Sequence, residues 1–288
     1  MNKLAFAKIL LIWEVLRKNR LAKIGTYTVI FLVLLSVLGP LIAFHDPGEQ
    51  YLNKMRMGPN LEYPLGTDEF GRCIFSRILY GARISLTIGV SSIAIALVVG
   101  IIFGLIAGYY GGIIGALIMR IVDVMLAFPY FLLAIAIVIV LGSGVFNLII
   151  TIAIFTIPSF ARVVNGLVLS QKQREYIEAA RAFGENDRNI IFRYLLPNCL
   201  PSIIVYGSLR IGSAILVSSI LGFLGLGVPP TIPEWGAMLS GGRAYLRSAP
   251  HIVFFPGIMI MIAVLGFNLI GDGLRDVLDP RLREESLK

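Results

Sequence analysis

Residues 84–106 read ISLTIGVSSIAIALVVGIIFGLI, an apolar run without a charged side chain. About 20 apolar residues carry an α-helix across the hydrocarbon core of a bilayer. The uncharged character continues far beyond one such helix, because Arg120 and Asp123 are the only charged residues between Arg83 and Arg162. Lipid is the solvent that this segment requires, and we predict an all-α integral membrane protein.

The composition of the 288 residues supports the same conclusion. Hydrophobic residues make up 57% of the chain and charged residues 15%, against about 25% charged in an ordinary soluble domain. The net charge of +8 could suggest nucleic acid binding. The basic residues, however, stand at the ends of apolar runs rather than in one patch, which favours a membrane protein.

Two glycine-rich turns, at 107–112 and 141–144, divide the long apolar run. Three further apolar segments lie outside it. The sequence therefore predicts six transmembrane helices, near 24–44, 84–106, 113–140, 146–165, 201–225 and 252–274.

The direction of the spans follows from lysine and arginine, which are enriched on the cytoplasmic side. Sixteen of these residues fall in the N-terminal arm, the 162–200 loop and the tail, and seven fall in the two loops on the other side. Both termini are therefore predicted to be cytoplasmic. The predicted organisation is a cytoplasmic N-terminal arm at 1–23, a first transmembrane helix and external loop at 24–83, a five-helix core at 84–275 that includes a cytoplasmic coupling loop at 166–200, and a cytoplasmic tail at 276–288.

A glycine stripe marks the second predicted span. Gly100, Gly104, Gly108 and Gly112 recur at every fourth position, so they form one smooth helix face that another backbone can approach closely. Packing inside the subunit is the favoured interpretation, and lining of a pore is the alternative.

Arg120, Asp123 and Arg210 lie well inside the predicted spans, where ionisable groups suggest function. Arg120 and Asp123 share a helix face and are predicted to form a structural ion pair, whereas Arg210 has no evident partner in the sequence. Pro129 and Pro256 are expected to bend or break their helices.

The segment after the fourth span is charged and helical in character. Good helix formers over 171–183 are followed by Gly184, which can adopt the left-handed backbone that ends a helix. A second helical piece is predicted to run to Pro197, which resists continuation. With no apolar core of their own, these two short helices need a partner, although a solvated loop is an equal alternative on physical grounds.

The same segment resembles the EAA loop of ABC importer permeases. The resemblance implies that this loop is the ATPase-coupling interface, and the matching residues are Glu178, Ala179, Ala180, Gly184, Ile191, Leu196 and Pro197.

Motifs elsewhere resemble the dipeptide/oligopeptide/nickel branch of these permeases, and in particular its second, C-type, subunit. They include LGTDEFGR at 65–72, YGARISL at 80–86, FLGLGV at 223–228 and PEWG at 233–236, and the similarity extends over roughly 20–282. Cys73 stands where the branch usually has aspartate, which puts an ion pair there in doubt. Tyr194 replaces a histidine common before Leu196-Pro197.

The resemblance implies a type I ABC importer permease fold with six transmembrane helices. It further implies a heterodimer with a B-type permease subunit, two ABC ATPase subunits, an extracytoplasmic substrate-binding protein, and a bacterial or archaeal plasma membrane. ATP and Mg would bind the partner ATPase subunits, and no cofactor would bind this chain. Peptides are favoured as substrates over nickel chelates or another small solute, and no substrate-binding residue is assigned.

Residue types needed for catalysis are scarce in this sequence. A phosphate-binding loop requires Gly-Lys-[Ser/Thr], and no lysine here follows a glycine. His45 and His251 are the only histidines, and Cys73 and Cys199 fit neither a disulfide framework nor a zinc site. We predict no catalytic or metal site and no enzyme activity. A secondary transporter and a membrane-embedded hydrolase are the alternatives from other classes.

Overall fold

A computed structural model of the protein describes residues 20–278, and its regular elements are helices. They are α1 (Arg20–Ile42), α2 (Ile74–Tyr110), α3 (Gly112–Ala127), α4 (Tyr130–Leu141), α5 (Val145–Lys172), α6 (Glu175–Ala182), α7 (Leu196–Phe223), α8 (Trp235–Gly242) and α9 (His251–Leu278). Most of the predicted N-terminal arm and tail lies outside the described range.

Five helical runs within residues 20–278 are long and apolar enough to cross a membrane. Taken together, α3 and α4 also pass this test, but the pair bends by 97° at the break between them. If the pair counts as one span, the described residues contain six candidate spans. Pro129 stands at this break, as expected from its sequence. Pro256, in contrast, lies inside the continuous helix α9, which is not broken at this residue.

The helix α2 begins at Ile74, ten residues before the predicted start of the second span. The charge of Arg77 favoured the prediction that this stretch belongs to the external loop. The Arg77 side chain is, however, buried. Its guanidinium donates to the carbonyl oxygens of Pro47 at 2.9 Å and Pro230 at 3.0 Å. These long-range acceptors allow the charge to sit inside the fold, and the loop after α1 therefore ends at residue 73.

Buried ion pairs stabilise the end of that loop. The Nε of Arg72 donates to Asp68 Oδ2 at 2.6 Å, and its Nη2 lies 3.2 Å from Glu69 Oε1. Burial, together with the neighbouring Asp68 charge, raises the pKa of the Glu69 carboxyl. Cys73 is buried at the N-cap of α2, so the ion pairs form without an aspartate at that position.

The short helix α8 is anchored to α2 through the buried carboxylate of Glu234. The Oε2 atom accepts from Ala237 N at 2.8 Å and caps α8, while Ser85 Oγ donates to Oε1 at 3.2 Å. Trp235 donates from its indole nitrogen to the carbonyl of Ile78 at 3.2 Å. Complete burial raises the pKa of Glu234.

The glycine stripe packs α2 against α5, which confirms the favoured interpretation. A Cβ added at Gly104 would lie 2.5 Å from Val164 Cβ, and Gly100 and Gly108 approach α5 as closely. Gly112 is not part of this surface. It begins α3 with a φ of +53°, and no described atom lies within 4 Å of its added Cβ.

The predicted pair of Arg120 with Asp123 is wrong. Asp123 instead forms an ion pair with Arg162 of α5, and both side chains are about half exposed. The sequence could not reveal this partner because it lies on a different helix that packs against α3.

Candidate functional site

The candidate site is the segment between α5 and α7, built around the short helix α6 (Glu175–Ala182). Its faces differ, because Ile177 and Ala180 are buried whereas Glu178 and Ala179 are exposed. The helix is therefore packed against the protein on one side and exposed on the other.

The turn after α6 has the hydrogen bonds of a Schellman motif. Gly184 adopts a φ of +78°, and its N–H donates to Arg181 O at 2.9 Å. The N–H of Glu185 donates to Ala180 O at 3.1 Å. These are the two bonds that satisfy the last carbonyls of a helix. The prediction that Gly184 ends the helix is confirmed.

The second helical piece does not stop at Pro197. The Asn186 side chain caps a single turn, Asp187–Asn189, by accepting from Asn189 N at 2.8 Å. A π-helical turn, Ile190–Leu195, then leads directly into α7. Proline is tolerated in the first turn of a helix, where no intrahelical N–H bond is lost. Pro197 occupies that turn in α7, which corrects the predicted boundary.

The segment also has an apolar core, contrary to the prediction. This cluster could not be predicted from the sequence, because the contributing side chains are separated along the segment and their partners belong to three other helices. The cluster comprises Ile177, Ala180, Ile190, Ile191 and Leu195 from the segment, with Leu105, Tyr109, Val164, Val168, Cys199 and Ile203 from α2, α5 and α7. The loop is therefore packed onto the ends of three helices rather than loosely tethered to them.

Tyr109 fixes this segment to the end of α2 through polar contacts as well. Its hydroxyl donates to Asp187 Oδ1 at 2.5 Å, and its carbonyl accepts from Lys172 Nζ at 2.5 Å. The Arg181 guanidinium lies over the same ring, 5.8 Å from its centroid. Sequence reasoning missed Tyr109, because Asp187 and Arg181 are distant from it in the chain.

The residues of the predicted interface differ in their exposure to solvent. Four of them, Glu178, Ala179, Gly184 and Pro197, are exposed, whereas Leu196 is half-buried. The remaining two, Ala180 and Ile191, belong to the buried cluster. The exposed residues and the half-buried Leu196 can contact another protein directly, whereas the buried pair can act only by holding the segment in place.

Phe183 is a further exposed residue that the sequence reasoning missed. Its ring is 88% exposed immediately before the Gly184 turn. The residue lies outside the candidate spans, and aromatic side chains such as phenylalanine are enriched at protein interfaces. The sequence feature that could have indicated Phe183 is an aromatic residue directly before a glycine that ends a helix.

The exposed surface of α6 carries mixed charge and no catalytic constellation. Arg174, Glu175, Glu178 and Arg181 are all exposed and contribute two charges of each sign. Among the residues that the structure describes, no group of three or more His, Cys, Asp or Glu side chains could hold a metal ion.

Comparison with known families and proteins gives consistent matches. Residues 100–284 match the binding-protein-dependent transport system inner membrane component family. Residues 10–61 match the N-terminal TM domain of oligopeptide transport permease C.

Among individual proteins, the chain is 49% identical over 268 residues to the dipeptide transport system permease protein DppC of Alkalihalophilus pseudofirmus, covering 93% of this chain and 88% of that protein. It is 47% identical over 273 residues to the glutathione transport system permease protein GsiD of Escherichia coli, covering 94% and 90%. The inward-facing MetNI methionine ABC transporter aligns with a TM-score of 0.58 at 21% identity, over 70% of this chain and 97% of that chain. This last likeness concerns the fold.

Proposed function

Because this chain belongs to the family of binding-protein-dependent transport system inner membrane components, we propose that it conducts di- or oligopeptides across the membrane. The chain is a multi-pass, pore-forming permease subunit of an ABC importer, and ATP hydrolysis belongs to separate subunits. The observation that carries the peptide proposal is the similarity over nearly the whole chain to permeases named for a dipeptide and for glutathione. Both of those substrates are short peptides.

The importer also requires other permease, ATPase and substrate-binding components. We assign these as one B-type permease, two ATPase subunits and one extracytoplasmic binding protein. The bacterial or archaeal plasma membrane, with both termini cytoplasmic, is the proposed location. The lysine and arginine asymmetry supports this orientation, since it puts the α6 segment on the side where ATP is available.

Coupling would act through α6 as a rigid lever. The tip formed by Phe183 and Gly184 would dock into an ATPase subunit, with Glu178 on the flank of the contact. A displacement of the tip would pass through the buried cluster and Tyr109 to the ends of α2, α5 and α7. The packing of this cluster supports the proposal, because a loosely tethered loop could not transmit force to three helices.

A substitution at the tip tests this proposal. We expect Phe183→Ala to weaken ATPase binding by roughly 10- to 100-fold, the scale of a hot-spot truncation, while membrane insertion stays normal. Glu178→Lys should act in the same direction but more weakly, because its side chain is exposed. ATPase binding, peptide uptake and ATP hydrolysis would be measured in vesicles that contain all partners.

Phe146→Ala is the matched control, since this phenylalanine is 71% exposed at the opposite end of α5. It should bind the ATPase subunits like the wild type. Wild-type binding and uptake in Phe183→Ala and Glu178→Lys would remove the tip from the coupling mechanism.

The backbone at the tip can be tested separately. A valine at Gly184 would be strained at a φ of +78°, at a cost of order 1–2 kcal/mol, although no described atom crowds the position. Gly184→Val should therefore lower uptake far more than expression. Gly184→Asn should stay close to the wild type, because asparagine tolerates this conformation. Equal uptake by the valine and asparagine variants would show that the left-handed turn is dispensable.

A further inference from the structure

Arg210 lies near the middle of α7, within a run that is long and apolar enough to cross a membrane. At 1.5 Å per residue, it stands roughly 20 Å along the axis from either end of that helix. Charged side chains at such depth almost always face a bundle interior or a water-filled cavity. The Arg210 side chain is half-buried, so part of it is accessible on such a surface.

In the described part of the chain, the Arg210 side chain contacts an aromatic residue and forms no ion pair. Its guanidinium donates to the hydroxyl of Tyr206 and lies 4.8 Å from the centroid of that ring. Among residues 20–278, no aspartate or glutamate forms an ion pair with Arg210. Neither contact with Tyr206 neutralises the cation, which leaves it able to take an anionic partner.

Aromatic packing holds the pair of Arg210 and Tyr206 in place. The Tyr206 ring meets Phe160 edge to face at 5.1 Å. Tyr130, the first residue of α4 after the break at Pro129, lies within electrostatic range of Arg210. The Tyr206 hydroxyl accepts a hydrogen bond from the guanidinium of Arg210, and its own O–H can donate a hydrogen bond to a ligand.

We propose that Arg210 and Tyr206 form a subsite on the translocation pathway that receives the C-terminal carboxylate of a peptide in transit. The proposal rests on the proposed function, because it requires a peptide substrate. A planar guanidinium offers two parallel N–H groups to a carboxylate, and the Tyr206 hydroxyl adds a third donor. An unmodified linear peptide carries this carboxylate at neutral pH whatever its side chains, so the subsite accepts many sequences.

Photocross-linking in the complete complex tests this subsite. The complex is reconstituted in vesicles and supplied with a dipeptide whose C-terminal residue carries a diazirine. Illumination during ATP-driven uptake is followed by mass spectrometry of the adducts. We expect adducts near Tyr206, Arg210 and Tyr130 in the wild type. Arg210→Met should lower their yield and peptide uptake by about tenfold or more, the loss of one charge-assisted pair.

Two further variants distinguish the effect of the positive charge, the effect of the guanidinium geometry and a nonspecific loss of function. Arg210→Lys keeps the charge without the planar fork and should fall between Arg210→Met and the wild type. Arg247→Met is the matched control, because this exposed arginine lies between α8 and α9, outside the candidate spans. Its adduct yield and uptake should equal those of the wild type.

Each contrary outcome has a distinct meaning. Normal uptake with adducts only elsewhere, or equal yields in Arg210→Met, would overturn the subsite while peptide import stands. Absence of uptake of any peptide by the wild-type complex would instead overturn the proposed function. If Arg210→Met fails to assemble and wild-type adducts avoid this region, Arg210 pairs with the second permease, and the subsite is refuted.

Discussion

At the scale of single residues, glycine determines how closely α2 and α5 approach. A Cβ added at Gly104 would lie 2.5 Å from Val164 Cβ and 2.7 Å from Ala161 O. Backbone at that distance cannot move aside as a flexible side chain can. We expect Gly104→Leu to separate the two helices and to destabilise the subunit by at least the 1–3 kcal/mol typical of overpacking.

Gly166→Ala is the control for this prediction. No described atom lies within 4 Å of a Cβ added there, and alanine favours a helix by about 1 kcal/mol over glycine. The melting temperature of the purified subunit in detergent should therefore fall for Gly104→Leu and hold or rise for Gly166→Ala. Similar falls in both variants would contradict the packing role of the stripe.

The packing role of Gly100, Gly104 and Gly108 could be predicted from the sequence, because glycines at every fourth position lie on one face of a helix. The helix-ending role of Gly184 was readable for the same local reason. The ion pair of Asp123 with Arg162 could not be predicted from the sequence, and neither could the burial of Arg77 against Pro230. Both contacts form only through tertiary packing.

At the scale of elements, the attachment of α8 depends on the buried Glu234. Glu234→Ala would leave Ala237 N–H and Ser85 Oγ without their acceptor, at about 1–3 kcal/mol for a buried unsatisfied group. Glu234→Gln retains one side-chain oxygen and should cost less. Trypsin cleavage after Arg243 or Arg247 reports detachment of α8, and we expect the fastest cleavage in the alanine variant. Equal cleavage rates in all three proteins would rule out the anchor.

The candidate coupling segment shows where element-level prediction ends. Helix α6 and its end at Gly184 follow from local helix propensity and from the resemblance. The π-helical turn and the shared apolar cluster do not, because both depend on how α2, α5 and α7 meet. The start of α2 at Ile74 was likewise not predicted, because the charged residue in its first turn, Arg77, has tertiary partners that the sequence does not reveal.

At the scale of the whole molecule, the orientation in the membrane can be measured with single cysteines. Positions Ser170 and Gln50 are both exposed, whereas the native Cys73 and Cys199 are 2% and 1% exposed and should give little background. In intact cells, an impermeant thiol reagent should label a cysteine at Gln50 and not one at Ser170. Labelling at Ser170 alone would reverse the proposed orientation.

We expect the pore that this chain forms to operate only with its ATPase partners. The most direct measurement is uptake of a labelled dipeptide into vesicles containing the complete complex, compared with vesicles lacking the ATPase subunits or containing this chain alone. We predict ATP-dependent uptake in the complete set and neither uptake nor ATP hydrolysis by the chain alone. Uptake by the lone subunit, driven by an ion gradient without ATP, would contradict the claim and identify a secondary transporter.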